Sequence, residues 1–375
     1  MPDVNFLQIH SLHGYSAALL NRDDSGLAKR MTYGGAIRTR ISSQCLKRHW
    51  RIAGGPHSLH AIDGATAGVR SRETVTRRVI GPLAEAGYDT KAVEAIEAAF
   101  QRAVYGEKGE TSRQPLLLGE PEIRFLANKA REIADASGSD AKATEKAAKE
   151  WEKAARANMK ALRENCRLPG GIAAALFGRM VTSDVEANLD APVHVAHAFT
   201  VHGEESESDY FTVVDDLQRG EDEPGADHIG ETELTSGLFY GYVVLDRKML
   251  LDNVGGDDRM AGTVAEHLVH LIATVSPGAK LGSTAPYAYA SWVLIEAGNC
   301  QPRSLAEAFR DPCPPSVEAA QQRACAHLAQ LDAAYATGES RRVMSLSGSS
   351  MPGAELLALP ELSQWAGTAI STGTA

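Results

Sequence analysis

The sequence predicts an α+β fold: a ferredoxin-like core of sheet and helices, a type also used for RNA recognition, carrying two large insertions. Three observations predict it. Segments rich in β-branched and aromatic residues (VNFLQIHSL, IRTRI, VHVAHAFTVHG, SGLFYGYVVLD, YAYASWVLIEAG) are interspersed with amphipathic helical ones. An Ala-rich helical stretch fills residues 57–178, and an acidic stretch over 204–235 separates two of the strands. With 375 residues, 43% hydrophobic and 23% charged, the chain can bury a sizeable core in two or three lobes.

VNFLQIHSL reads as the first strand, followed by a polar loop containing NRDD and a turn at Gly34-Gly35. IRTRI reads as a second short strand, with Arg38 and Arg40 on one face and Ile37, Thr39 and Ile41 on the other. Ser42 or Ser43 can cap a helix, SSQCLKRHWRIA, that stops at Gly54-Gly55-Pro56. Gln44, Lys47, Arg48 and Arg51 share a stripe on it, so a strand and a helix start present their cations at one seam. In the helical stretch, AKATEKAAKEWEKAARANMKALREN spaces Lys142, Lys146, Lys149, Lys153, Arg156, Lys160 and Arg163 by fours and threes, one continuous stripe. Taken alone, that stripe reads first as a solvated face, helped by Glu145 four residues before Lys149, and second as a rail for phosphates. TVAEHLVHLIATV reads as a helix, SPGAKLGSTAP as a loop, YAYASWVLIEAG as a last strong strand, and the tail TAISTGTA as frayed.

The formal net charge is −10, yet the charge is segregated. From Arg22 to Arg51 eight Lys/Arg stand against two acids, a balance of +6. From Glu204 to Glu233 twelve acids stand against Arg219 alone, a balance of −11. Segregation of this kind points to a polyanion site despite the acidic total. Within the acidic stretch, DYFTVVDD carries Tyr210 and Phe211. Such rings either pack on the body of their own hairpin or wedge between bases, where stacking gives about 1–3 kcal/mol per base.

Other chemistries lack their parts. GxSxG, HExxH and GxxxxGK[ST] do not occur, and SPGAK is too short for a phosphate-binding loop, although Lys280 could touch a phosphate. His194 and His197 would point to opposite faces of a strand, and the pair His267 and His270 has no third ligand near in sequence, so no metal centre is expected. Asp23-Asp24 and Asp215-Asp216 could in principle hold Mg²⁺, but adjacent acids diverge on a strand and cap or pair in a loop. Five cysteines without a CxxC pair, no signal peptide and no membrane-spanning run suggest reduced thiols and a cytoplasmic protein.

NFLQIHSL, LLNRDDSGLAKR, YGGAIRTRISSQCLKRHWR, ALFGRM, HVAHAFTVH, DYFTVVDDLQ, SGLFYGYVV and SPGAK, in this order, resemble the CasC family, the backbone subunits of Type I-E CRISPR Cascade complexes. The resemblance spans most of residues 5–295. It implies a hand-shaped subunit: an RNA-recognition-type palm (1–56, 179–203 and 236–375), a helical fingers insertion (57–178) and a β-hairpin thumb (204–235). Copies would polymerise along a guide RNA (crRNA), bind other Cascade subunits and present the guide to target DNA, with no catalysis and no cofactor. The RNA cradle it implies comprises Arg22, Lys29, Arg38, Arg40, Ser42, Gln44, Lys47, Arg48 and Arg51, with Met180 as an apolar contact. Tyr210, Phe211, Thr212, Val214 and Ile229 would stack on a displaced base, and Lys142, Lys146, Lys149 and Lys153 would face DNA. Alternatives are a backbone subunit that also cleaves target RNA through Asp24, and a generic single-stranded RNA binder.

Overall fold

The computed structural model describes residues 3–138, 140–166, 168–181, 184–214 and 226–375, with no side chains for 212–214 and 226–229. The chain divides into two compact units, Met1–Ala53 with Val195–Leu245 and Gly262–Ala375, and Gly54–His194 with Asp246–Ala261.

The strands, in chain order, are β1 (Phe6–Ala18), β2 (Arg30–Tyr33), β3 (Ala36–Ile41), β4 (Gly68–Ser71), β5 (Leu116–Gly119), β6 (Val193–Val195), β7 (Ala198–Thr200), β8 (Glu205–Val214), β9 (Ala226–Asp246), β10 (Ala290–Gly298), β11 (Ser340–Ser345) and β12 (Ala354–Leu356). In the first unit they form a mixed sheet in the order β12-β11-β10-β1-β9-β7-β3-β2, and β8 pairs with the outer part of β9. β10 and β11 are antiparallel, β11 and β12 parallel. A helix, Ser43–Ile52, lies in the chain between β1 and β7, and another, Asp258–Thr274, between β9 and β10. The β2–β3 hairpin closes on Gly34 and Gly35, with φ of 60° and 76°, the left-handed pair that a two-residue hairpin turn demands.

Alternation along the strands gives the sheet two apolar faces. Leu12, Phe199, Leu238, Tyr240, Trp292 and Leu294 face one way and pack with Ala320, Ala324 and Leu328 of the helix Val317–Tyr335. Tyr15, Ile41, Ala198 and Phe239 face the other way and pack with Cys45 and Leu46 of the helix Ser43–Ile52. A buried ionic network ties the C-terminal region to this core. Glu296 accepts from Arg303 Nη2 and Arg341 Nε, each at 2.8 Å, and from His10 Nε2 at 3.2 Å. Burial opposes ionisation of Glu296, but His10 and the two guanidinium groups outweigh it and hold the carboxyl at about 2.

In the second unit β4 and β5 pair antiparallel, and the helices Thr90–Tyr105, Glu120–Ser137 and Ala141–Asn165 enclose a core of Ile96, Phe100, Leu126, Ile133, Ala148 and Trp151. The Phe100 and Trp151 rings stack with centroids 3.8 Å apart.

Several expectations change, among them the all-helical reading of residues 57–178, which hold the β4–β5 pair. Residues 54–56, 179–194 and 246–261, assigned from sequence to the palm, fall in the second unit, where Arg179 is buried, donating to Glu122 Oε2 at 2.7 Å and Ala187 O at 3.0 Å. VHVAHAFTVHG is not one strand: β6 ends and β7 begins on either side of Ala196 and His197. The tail is not frayed, because Leu359–Thr372 is helical and Val4 N donates to Gly373 O at 2.9 Å. No described helix is long and apolar enough to cross a membrane.

Candidate nucleic-acid interface

The basic segment of the first unit folds as a loop, a hairpin and a helix start stitched by main-chain bonds. Asp23 Oδ1 accepts from Ser25 N at 2.9 Å and Leu27 N at 3.0 Å, closing the loop on itself. Asn21 then takes both sides of the seam: its carbonyl accepts from Lys29 N at 3.0 Å, and its side chain accepts from Ser42 N at 2.9 Å. Arg40 N donates to Lys29 O at 2.8 Å, so the loop, β3 and the helix N-terminus share one frame. The helix Ser43–Ile52 has no acid in its first turn, which leaves its N-terminal partial charge unopposed from within.

On this frame Arg40 meets the side chain of His197, which also feels the charges of Lys29 and Lys47. Burial first, and then the charges of Arg40, Lys29 and Lys47, lower its pKa below the usual imidazole value. Arg40 Nη1 lies 2.9 Å from His197 Nδ1. A guanidinium only donates, so Nδ1 must accept and the ring proton sits on Nε2. The exposed imidazole is therefore a neutral N–H donor amid cations. Sequence reasoning set His197 aside as structural; its position in the break between β6 and β7 was the missing signal. Arg22, Gln44 and Arg48 are exposed, whereas Lys29, Lys47 and Arg51 are half-buried.

Two residues of the expected cradle do other work. Arg38 is fully buried, and its guanidinium donates to four backbone carbonyls: Thr200, Phe309 and Arg310, each at 3.0 Å, and Tyr33 at 3.4 Å. It shares a strand face with Arg40 as the alternation requires, but the segment Phe309–Arg310 closes over it. Ser42 is buried as the helix N-cap, its Oγ accepting from Cys45 N at 3.3 Å.

The acidic hairpin is clamped on both faces by cations. Residues paired directly across β8 and β9 share a face. Thus Tyr210, opposite Glu231, lies on one side, and Phe211, opposite Gly230, on the other. Arg30 Nε donates to Glu204 at 2.5 Å, its Nη2 donates to Glu233, and Glu233 also accepts from Ala28 N at 2.6 Å. On the Phe211 face, Lys280 Nζ donates to Thr232 Oγ1 at 2.7 Å and stands 5.3 Å from the Phe211 ring centroid. The Phe211 ring lies flat across Gly230, where an added Cβ would fall 2.2 Å from it, so this ring is seated on its own hairpin. Tyr210 is 63% exposed and Phe211 38%. The side chains of Thr212, Val214 and Ile229 lie outside the described residues, as do Asp215 and Asp216 altogether.

In the second unit Met180 is 76% exposed. Lys142, Lys146 and Lys153 are exposed without an ion pair among the described residues, whereas Lys149 pairs with Glu145 at 2.6 Å. Farther along the stripe, Lys160 pairs with Glu186 at 3.1 Å and Arg163 with Asp184 at 2.7 Å. Among the described residues no three His, Cys, Asp or Glu side chains are grouped to hold a metal ion.

A family model described as CT1975-like protein matches residues 7–365. The chain belongs to the CT1975-like protein family. It is also similar to a chain of a solved "CRISPR RNA-guided surveillance complex, pre-nicking", at 27% identity and a TM-score of 0.80, over 97% of this chain and 100% of that one. A chain of a second "CRISPR RNA-guided surveillance complex" shares the fold at 24% identity and a TM-score of 0.71, over 97% of this chain and 99% of that one. No curated protein sequence matches.

Proposed function

We propose that this CT1975-like protein is a non-catalytic, guide-RNA-binding backbone subunit of a Cascade-type CRISPR complex, of Type I-E. The observation that carries the proposal is the contact of Arg40 with His197 in the field of Lys29 and Lys47, with Arg22 and Arg48 exposed on the same basic segment, in a chain similar over 97% of its length to a chain of an RNA-guided complex. The sheet order β10-β1-β9-β7, with helices after β1 and β9, is that of a β-α-β-β-α-β unit and supports an RNA-recognition-type palm. Phosphate contacts carry no sequence information, so such a seam accepts any guide and leaves specificity to base pairing. Copies of the chain would line the guide, the hairpin would displace a base onto Tyr210, and Lys142, Lys146 and Lys153 would draw the target DNA.

The test is a nuclease footprint of the RNA that copurifies with the chain, co-expressed with a repeat-spacer array and partner subunits. Regularly spaced sensitive nucleotides along a protected guide are expected. Absence of copurifying RNA would overturn the assignment, and uniform protection would remove the base-displacing hairpin from it.

A further inference from the structure

From Pro286 to Ala290 the chain alternates strictly: Pro286 and Ala290 are buried, Ala288 is half-buried, and Tyr287 and Tyr289 are 74% and 72% exposed. The strand expected to begin at Tyr287 begins only at Ala290, so both rings sit on the approach to it. Ala288 is fixed inward. Ser276 Oγ donates to its carbonyl at 2.9 Å and accepts from its N–H at 2.8 Å, and its methyl packs into the cluster of Tyr15, Ile41, Ala198 and Phe239 that Cys45 and Leu46 of the helix Ser43–Ile52 also join. Its two neighbours must therefore emerge together on the outer side. Neither ring makes a ring contact or a side-chain hydrogen bond among the described residues.

We propose that Tyr287 and Tyr289 form a stacking platform for a base of single-stranded RNA, beside the cation seam. Residues two apart on extended chain stand about 6.6 Å apart. That is about twice the 3.4 Å rise of stacked bases, so one base fits between the rings. The platform's loop is tied to the helix that carries Lys47 and Arg48: Ala288 packs into the same cluster as Cys45 and Leu46 of that helix, His49 Nε2 accepts from Gly278 N at 3.4 Å, and Lys280 lies on the same loop. The loop is also strained, with Lys280 at φ +52° and Ala285 at φ +37° on either side of the single turn Leu281–Thr284. Such conformations persist where the surroundings enforce them, often at binding sites.

This platform rests on the guide-RNA reading above and deepens it, so two probes separate them. Binding of the full chain to an oligouridylate and to an abasic ribose-phosphate oligomer of equal length is measured over a range of salt. Wild type should prefer the oligouridylate. Tyr287→Ala/Tyr289→Ala should weaken that binding about tenfold, leave the abasic oligomer and the salt slope unchanged, and be rescued by Tyr287→Phe/Tyr289→Phe. Equal weakening for both probes, or no preference in wild type, overturns the platform. Loss of self-association with the base preference intact also overturns it, and assigns the rings to a second copy of the chain. Lys47→Ala tests the cradle independently: an unchanged salt slope with the base preference retained would sink the cradle and leave the platform standing.

Discussion

Lys142, Lys146 and Lys153 point outward because residues spaced by fours and threes share a face of one helix, and the opposite face buries Thr144, Ala148, Trp151 and Ala155. The cations of the first unit come together differently. Lys29, Arg40 and Lys47 belong to a loop, a strand and a helix, and their charges reach one imidazole only because Asn21 and the backbone of Arg40 bind those three elements together. The stripe should therefore survive almost any change that leaves its helix intact, whereas the seam depends on a few buried bonds. Two arginines make the contrast sharpest: Arg38 and Arg40 share a strand face, yet Arg38 is fully buried against four carbonyls, while Arg40 is half-buried and donates to Arg30 O at 3.1 Å and to His197 Nδ1 at 2.9 Å.

Arg38→Ala should have the largest effect, a loss of about 3 kcal/mol in unfolding free energy by denaturant titration, because it strands buried carbonyls and opens a cavity. A loss under about 1 kcal/mol would mean that the buried guanidinium is not what holds β3 to Phe309–Arg310.

Acid provides a second lever on the scaffold. His13 donates from Nε2 to Ile272 O at 3.0 Å, and burial holds its pKa down to about 4. The unfolded chain takes up a proton near the ordinary imidazole value and the native chain only near 4, so stability rises with pH across this interval and is lost as pH falls. The melting temperature should drop between pH 6.5 and 4, by the equivalent of up to about 3 kcal/mol, and His13→Gln should flatten the drop. An equally steep drop in the variant would exonerate His13.

Arg40→Ala and Lys47→Ala should leave the fold within about 0.5 kcal/mol of wild type, while each lowers the salt slope of guide-RNA binding by about 0.7. If either variant lost stability like Arg38→Ala, the distinction between the buried bracing arginine and the half-buried cations would collapse. The smallest effect belongs to the stripe. Lys149→Ala breaks only the exposed pair with Glu145 and should cost about 0.3–0.5 kcal/mol of helix stability, and less in high salt. Lys142→Ala/Lys146→Ala/Lys153→Ala should spare guide binding and weaken target-DNA binding alone.

The local code of the sequence determined the first strand, the core of the last central one, the Gly34-Gly35 turn, the cap of the helix Ser43–Ile52, the lysine periodicity and the segregation of charge. Each is a property of a few consecutive residues, set by periodicity, φ or side-chain reach. Tertiary structure alone decided which cations are buried and which stay at the surface. Arg38 and Arg40 are indistinguishable in IRTRI until Phe309–Arg310, some 270 residues away in sequence, covers one of them. The same holds for Arg30, taken up by two glutamates of the acidic hairpin, and for Phe211, seated on Gly230 beneath Lys280. His197 and the tyrosine pair were illegible for the matching reason: each depends on where a strand breaks off and on a partner distant in the chain. Exposure and free hydrogen-bonding capacity are sums over all neighbours in space, and no spacing rule along the chain records them.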